Sequence, residues 1–127
     1  MRYLPNGKQM SEADAHTIHK IGIPSLVLME RAALQIVETM HKKNISTEKS
    51  LIVCGSGNNG GDGFAVARLL TEQGKHADVL FAGKEASLSE ECRCQKQIVE
   101  NMGISVFTEF PDEEYTVIID AVFGVGL

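Results

Sequence analysis

Four consecutive apolar residues, Leu51-Ile52-Val53-Cys54, run directly into Gly55-Ser56-Gly57-Asn58-Asn59-Gly60-Gly61-Asp62-Gly63 and then into a helical pattern that lasts from Gly61 to Gln73, with Gly74 as its stop. An apolar run with no polar alternation describes a strand buried on both faces, and such strands belong inside parallel sheets. A parallel strand can reach its neighbour only through a crossover, which a helix supplies. The same unit recurs downstream. Asp78 to Ala82 reads as a second strand, and Ser87 with Glu90 three residues on opens a helix that stops at Gly103. Ile104 to Thr108 reads as a third and weaker strand, and Thr116 to Asp120 as a fourth. Strands alternating with helices predict an α/β fold, a three-layer α/β/α Rossmann-like, doubly wound parallel sheet. Right-handed crossovers give the strand order 3-2-1-4. Strands one and four are then neighbours whose following loops leave in opposite directions, and the crevice between such loops is where these sheets hold ligands.

Two helices precede the first strand. Ser11 with Asp14 three residues on forms a capping-box pattern for a helix that runs to Lys20 and stops at Gly22. Pro24 and Ser25 open the second, whose Leu26, Met29, Ala33, Ile36, Val37 and Met40 keep a 3.6-residue period and so bury one face. The polar stretch from Lys42 to Ser50 ends it. Residues 1–127 hold no repeat or linker, and their length allows one domain at most.

Chemistry is concentrated in two loops at the carboxyl ends of strands one and four. The first holds five glycines in nine residues, which lets backbone approach a ligand closely, and it leads into a helix start where unpaired N–H groups favour phosphate. A mere tight connection needs glycines but not the added amides and acid. Gly55, Gly57 and Gly60 satisfy G-x-G-x-x-G, yet the acidic residue that holds a ribose hydroxyl in that fingerprint is missing: strand two ends Leu80-Phe81-Ala82-Gly83, and Asp78 stands at its start. This disfavours an ordinary hydride-transferring dehydrogenase. No Gly-Lys-Ser/Thr follows, so the loop is not a P-loop. The second loop begins at Asp120, an acid at the end of an apolar strand, where a charge needs a partner, a turn to cap or a ligand. Converging on an asparagine of the first loop, it could hold a hard cation through oxygen. Asp62 either takes part in the site or caps the following helix.

The net charge of −5 and the scattered lysines and arginines speak against a nucleic-acid coat. No apolar run is long enough to span a membrane, and Met1 to Met10 lacks the apolar core of a signal peptide. Three cysteines, Cys54, Cys92 and Cys94, suit a reducing cytoplasm better than a disulfide framework, and no second ligand pair stands at zinc spacing. Glu30-Arg31 reads as a solvated or subunit-facing pair, and His16 and His19 as exposed helix residues.

Three stretches together resemble the NAD(P)HX epimerase family, the YjeF amino-terminal domain: Gly22 to Ala32, Gly57 to Phe64, and Asp120 to Leu127. The resemblance implies an isomerase that interconverts the R and S forms of hydrated NADH and NADPH in nicotinamide cofactor repair. Its implied partners are NADHX or NADPHX as substrate, a second copy in a homodimer, and a fused or separate dehydratase. Asn58, Asn59, Gly60, Gly61 and Asp62 match substrate-binding positions, as do Gly124, Val125, Gly126 and Leu127. Asn59 and Asp120 match positions that bind a potassium ion. Threonine is common in the family where Val125 stands. The family's later Asp-x-Pro-Ser-Gly segment has no counterpart before Leu127, which implies that residues 1–127 are the amino-terminal part of the domain and lack epimerase activity alone. A non-catalytic nucleotide- or protein-binding module of the same fold is the alternative.

Overall fold

The computed structural model describes residues 21–122. The expected Ser11–Lys20 helix, His16, His19 and the loop residues Gly124, Val125, Gly126 and Leu127 lie outside them.

Helix α1 spans Ser25–Lys42 and leads to strand β1, Lys49–Cys54. Helix α2, Asn58–Glu72, carries the chain to β2, His76–Phe81. A 3-10 turn at Glu85–Ser87 precedes helix α3, Glu90–Asn101, and the chain then forms β3, Val106–Phe107, and β4, Val117–Ala121. The four strands are parallel in the order β3-β2-β1-β4. This is the 3-2-1-4 order of a doubly wound, three-layer Rossmann-like sheet. β1 pairs with β2 through Cys54 opposite Phe81, and with β4 through Val53 opposite Asp120 and Cys54 opposite Ala121.

Alternation along the strands gives each face its own set of side chains. Ile52, Cys54, Ala77, Val79, Phe81, Val117 and Ile119 join Phe64, Val66 and Leu70 of α2 in one buried cluster. Helix α2 is therefore the centre of the layer, with α1 and α3 packed on either side of it. Ala33, Val37 and Met40 of α1 and Cys92 and Val99 of α3 complete the cluster. The two helix stops read at Gly74 and Gly103 hold positive φ, 82° and 77°, conformations that glycine adopts without strain.

Several boundaries differ from the sequence reading. Helix α2 begins at Asn58, three residues before Gly61, with Gly57 extended at its cap (φ −87°, ψ −169°) and Gly61 N–H donating to Gly57 O at 3.1 Å. Gly60 and Gly61 are poor helix formers by propensity; packing overrides it, because a Cβ at Gly60 would run into the Gly55 backbone and one at Gly61 would displace the end of the Met29 side chain. Asp62 consequently lies inside the helix and does not cap it. Helix α3 is capped by Ser89, not Ser87: the Cys92 N–H donates to Ser89 Oγ at 3.1 Å. β2 begins at His76, so Asp78 is its third residue and is buried, 3% exposed. β3 shrinks to two residues. Leu26 is 40% exposed, since α1 buries Leu28, Met29, Ala32, Ala33, Val37 and Met40, and Leu26 sits about 200° around the helix from Leu28. Among the described residues, no helix is long and apolar enough to cross a membrane.

Candidate functional site

Each strand ends and each of these helices begins at the same edge of the molecule. α1 runs down to the start of β1, so its amino terminus also lies at the carboxyl edge of the sheet. Hydrogen bonds tie the three helix starts together. Ser25 Oγ, in the first turn of α1, donates to Glu91 Oε1 in the first turn of α3 at 2.8 Å. Ser89 N–H donates to Ser56 O at 2.9 Å, and Ser89 Oγ donates to Asn58 Oδ1 at 2.7 Å. The positive ends of three helix dipoles thus face one region, an arrangement that favours anions, with Glu90 and Glu91 offsetting part of the charge.

Among the described residues, the first loop meets the start of the second as the strand order requires. Gly55 N–H donates to Ala121 O at 3.2 Å, and a Cβ on Gly55 would stand 2.8 Å from Val122 O. The segments after β1 and β4 are therefore in backbone contact. Asn59, half-buried in the first turn of α2, and Asp120, half-buried one residue before the end of β4, stand at the carboxyl ends of adjacent strands. Asp120 Oδ1 accepts from Val122 N–H at 3.0 Å, so the aspartate shapes its own turn while sitting at the crevice.

The glycines of the first segment have a packing cause distinct from ligand approach. A Cβ on Gly60 would lie 1.9 Å from Gly55 O, and one on Gly61 would lie 2.7 Å from Met29 Cε. These positions let the start of α2 rest on the end of β1 and on α1. Gly57 differs: nothing lies within 4 Å of a Cβ there, so its backbone faces open space. Asn58 beside it is exposed, Gly60 and Gly61 are buried, and Asp62 is half-buried one turn further on.

Two buried thiols underlie this edge. Cys92 Sγ donates to Gly55 O at 3.6 Å. Burial pushes the Cys92 thiol up to about 11; Asp62 and Glu85 add to the rise, and Lys96 opposes it. Burial also raises the Cys54 thiol, with Cys92 adding to it. Neither is poised as a nucleophile. All three cysteines are free, and only Cys94 is exposed.

Asp78 is occupied elsewhere. Its carboxylate accepts from Tyr115 Oη at 2.8 Å and is bonded to His76 Nε2 at 3.1 Å, near the amino edge of the sheet and away from the crevice. Burial raises the Tyr115 phenol, and the Asp78 carboxylate adds to the effect. Of the Glu30-Arg31 pair expected to be solvated or subunit-facing, Arg31 is exposed, whereas Glu30 meets Arg68 of α2, which also holds Glu72 at 3.0 Å, and so joins an inter-helix bridge. Ser89 escaped the sequence reading. Its signal was present in Ser89-Glu90-Glu91, a cap residue followed by two acids in the first helical turn.

A sequence model of the family described as YjeF-related protein N-terminus matches residues 25–127. The chain is similar to the NAD(P)H-hydrate epimerase of Weissella koreensis, 44% identical over 120 residues that cover 94% of this chain and 54% of the relative. It is likewise 44% identical to the NAD(P)H-hydrate epimerase of Oenococcus oeni over 124 residues, covering 96% of this chain and 59% of the relative. Among solved structures, that of yeast ynu0 shares the fold with a TM-score of 0.72 and 21% identity, covering 94% of this chain and 56% of that one. The chain thus spans little more than half the length of the relatives it matches.

Proposed function

The chain belongs to the family of YjeF-related protein N-termini, and from that premise we propose that it serves an NAD(P)H-hydrate epimerase, interconverting the R and S forms of hydrated NADH and NADPH. The observation that carries the reading is the contact between the segment after β1 and the segment after β4, which gathers Asn58, Asn59 and Asp120 at one edge. The N–H groups of Asn58 and Asn59 have no acceptor within the helix and face a dinucleotide's anionic oxygens at the positive end of α2. Gly57 leaves room for that approach. Gly60, Gly61 and Asp62 belong to the same substrate-binding segment in this proposal, and Gly124, Val125, Gly126 and Leu127 to the second. Inverting the hydrated carbon requires proton movement, for which a positioned carboxylate is the suitable group. Asp62 and Asp120 are the carboxylates these segments offer.

The donor set at Asn59 and Asp120 fits a potassium ion: both supply hard oxygen ligands, and Asp120 is half-buried with one oxygen already fixed by Val122 N–H. Bound there, the ion would supply positive charge beside the dinucleotide. The substrate partner is NADHX or NADPHX, and a homodimer working alongside a fused or separate dehydratase in the cytoplasm completes the proposal.

The test couples the full-length gene product to a dehydratase that consumes only S-NADPHX. An R and S mixture should be consumed completely, and faster in potassium than in sodium. Consumption that stops when the S form is exhausted would refute the activity. Binding of NADP+ without conversion would favour the non-catalytic module, and equal rates in both salts would refute the potassium site.

A further inference from the structure

We infer that Ser89 is a positioning residue for the dinucleotide site, because it fixes which end of the Asn58 carboxamide faces the ligand. The inference rests on the reading of the first turn of α2 as the dinucleotide-binding segment. Besides the helical bond that Arg93 N–H makes to its carbonyl at 2.9 Å, three bonds converge on Ser89. Its N–H donates to Ser56 O at 2.9 Å, its Oγ accepts from Cys92 N–H at 3.1 Å, and its Oγ donates to Asn58 Oδ1 at 2.7 Å. The second bond caps α3; the third reaches across to the start of α2.

A carboxamide has an accepting end and a donating end of nearly the same shape. On an exposed side chain such as Asn58, little else distinguishes the two orientations. Ser89 does. Its hydroxyl oxygen accepts from the Cys92 N–H, and its proton goes to Asn58 Oδ1 at 2.7 Å, a length usual for O–H···O and short for the N–H···O contact that a reversed amide would make. The Asn58 Nδ2 group, with two N–H donors, is then turned away from α3. At the positive end of a helix those donors add to the backbone N–H groups and suit an acceptor oxygen of the dinucleotide. The reversed amide would set an oxygen against that acceptor instead.

Ser89→Gly separates the two roles of the hydroxyl. Glycine is tolerated at a helix cap at a cost of only a few tenths of a kcal/mol, and it keeps the backbone bond to Ser56, but it cannot donate to Asn58. Ser89→Thr keeps the hydroxyl and is the rescue. The measurements are calorimetric binding of NADP+, KM and kcat for epimerisation, and the urea midpoint, all on the full-length gene product. For Ser89→Gly the dissociation constant and KM should rise about 5- to 10-fold, the loss of one oriented hydrogen bond. Its kcat and urea midpoint should stay near wild type, and Ser89→Thr should restore binding. Unchanged NADP+ binding and KM in Ser89→Gly overturn the inference while leaving the site reading intact. A loss of affinity that follows a fall in the urea midpoint, and that threonine does not rescue, overturns it in favour of a capping role alone. A wild-type protein that neither binds NADP+ nor converts NADPHX sinks the site reading, and the Ser89 inference with it.

Discussion

Gly60→Ala should destabilise the protein far more than Gly57→Ala, although the two glycines lie three residues apart in the same segment. At Gly60 an added Cβ would meet Gly55 O at 1.9 Å and Gly55 C at 2.6 Å. Real Cβ contacts essentially never fall under 3.0 Å, so about 1.1 Å of displacement is required, and the neighbour is backbone. That backbone is anchored on three sides: Gly55 N–H to Ala121 O at 3.2 Å, Cys92 Sγ to Gly55 O at 3.6 Å, and Ala82 N–H to Cys54 O at 2.8 Å. Overpacking against a fixed neighbour costs about 3 kcal/mol or more. Alanine recovers about 1 kcal/mol of helix propensity, which leaves a net loss of about 2 kcal/mol. With a urea slope of roughly 2 kcal/mol per molar for a chain of this size, the unfolding midpoint should fall by about 1 M. At Gly57 nothing lies within 4 Å and φ is −87°, so alanine fits sterically. The cost there is the weaker cap alone, under about 1 kcal/mol. Urea titrations of the three proteins, followed by circular dichroism, make the comparison. A Gly60→Ala midpoint within about 0.2 M of wild type, or a larger loss at Gly57 than at Gly60, would show that the glycines are not there to seat α2 on β1.

Stability should also fall as the pH rises above about 9. The unfolded Cys92 thiol ionises near its ordinary value of 9.0, whereas the folded one keeps its proton to about 11; across that window the unfolded state binds fewer protons, and stability drops by up to about 1.4 kcal/mol per pH unit. Cys54 and Tyr115 shift in the same direction and act with the same sign, so urea midpoints should decline with pH and decline less steeply in Cys92→Ala; a flat profile from pH 8 to 11 contradicts the burial argument. In the native protein a thiol reagent should modify Cys94 quickly and Cys54 and Cys92 only on unfolding, and Cys94→Ser should abolish the fast phase. Tyr115→Phe removes the 2.8 Å bond to the buried Asp78 carboxylate and should cost about 1–3 kcal/mol in urea unfolding; a variant as stable as wild type would mean that water or His76 satisfies Asp78 unaided.

Strand order, parallel pairing and the placement of both loops at one edge were legible in the residues themselves. Leu51 to Cys54 and Thr116 to Asp120 lack polar alternation, and only strands covered on both faces read that way. Handedness then leaves few topologies, which is why β1 and β4 could be set side by side without coordinates. The helix stops at Gly74 and Gly103 were equally plain, because a left-handed residue is a local requirement. The start of α2 was not. Asn58 to Gly61 look like loop by propensity, and become helix because Gly60 and Gly61 fit against Gly55 O, just past the end of β1, and Met29 of α1. Asp78, Glu30 and Ser89 follow the same rule. Each is an ordinary polar residue in sequence, and each acquires its role from a partner far along the chain: Tyr115, Arg68 and Asn58. Periodicity and turn chemistry are local and can be read from neighbours in sequence. Contacts between elements arise only once the sheet has brought distant residues together, and these set the orientation of the Asn58 amide and the packing at Gly60 that admits only glycine.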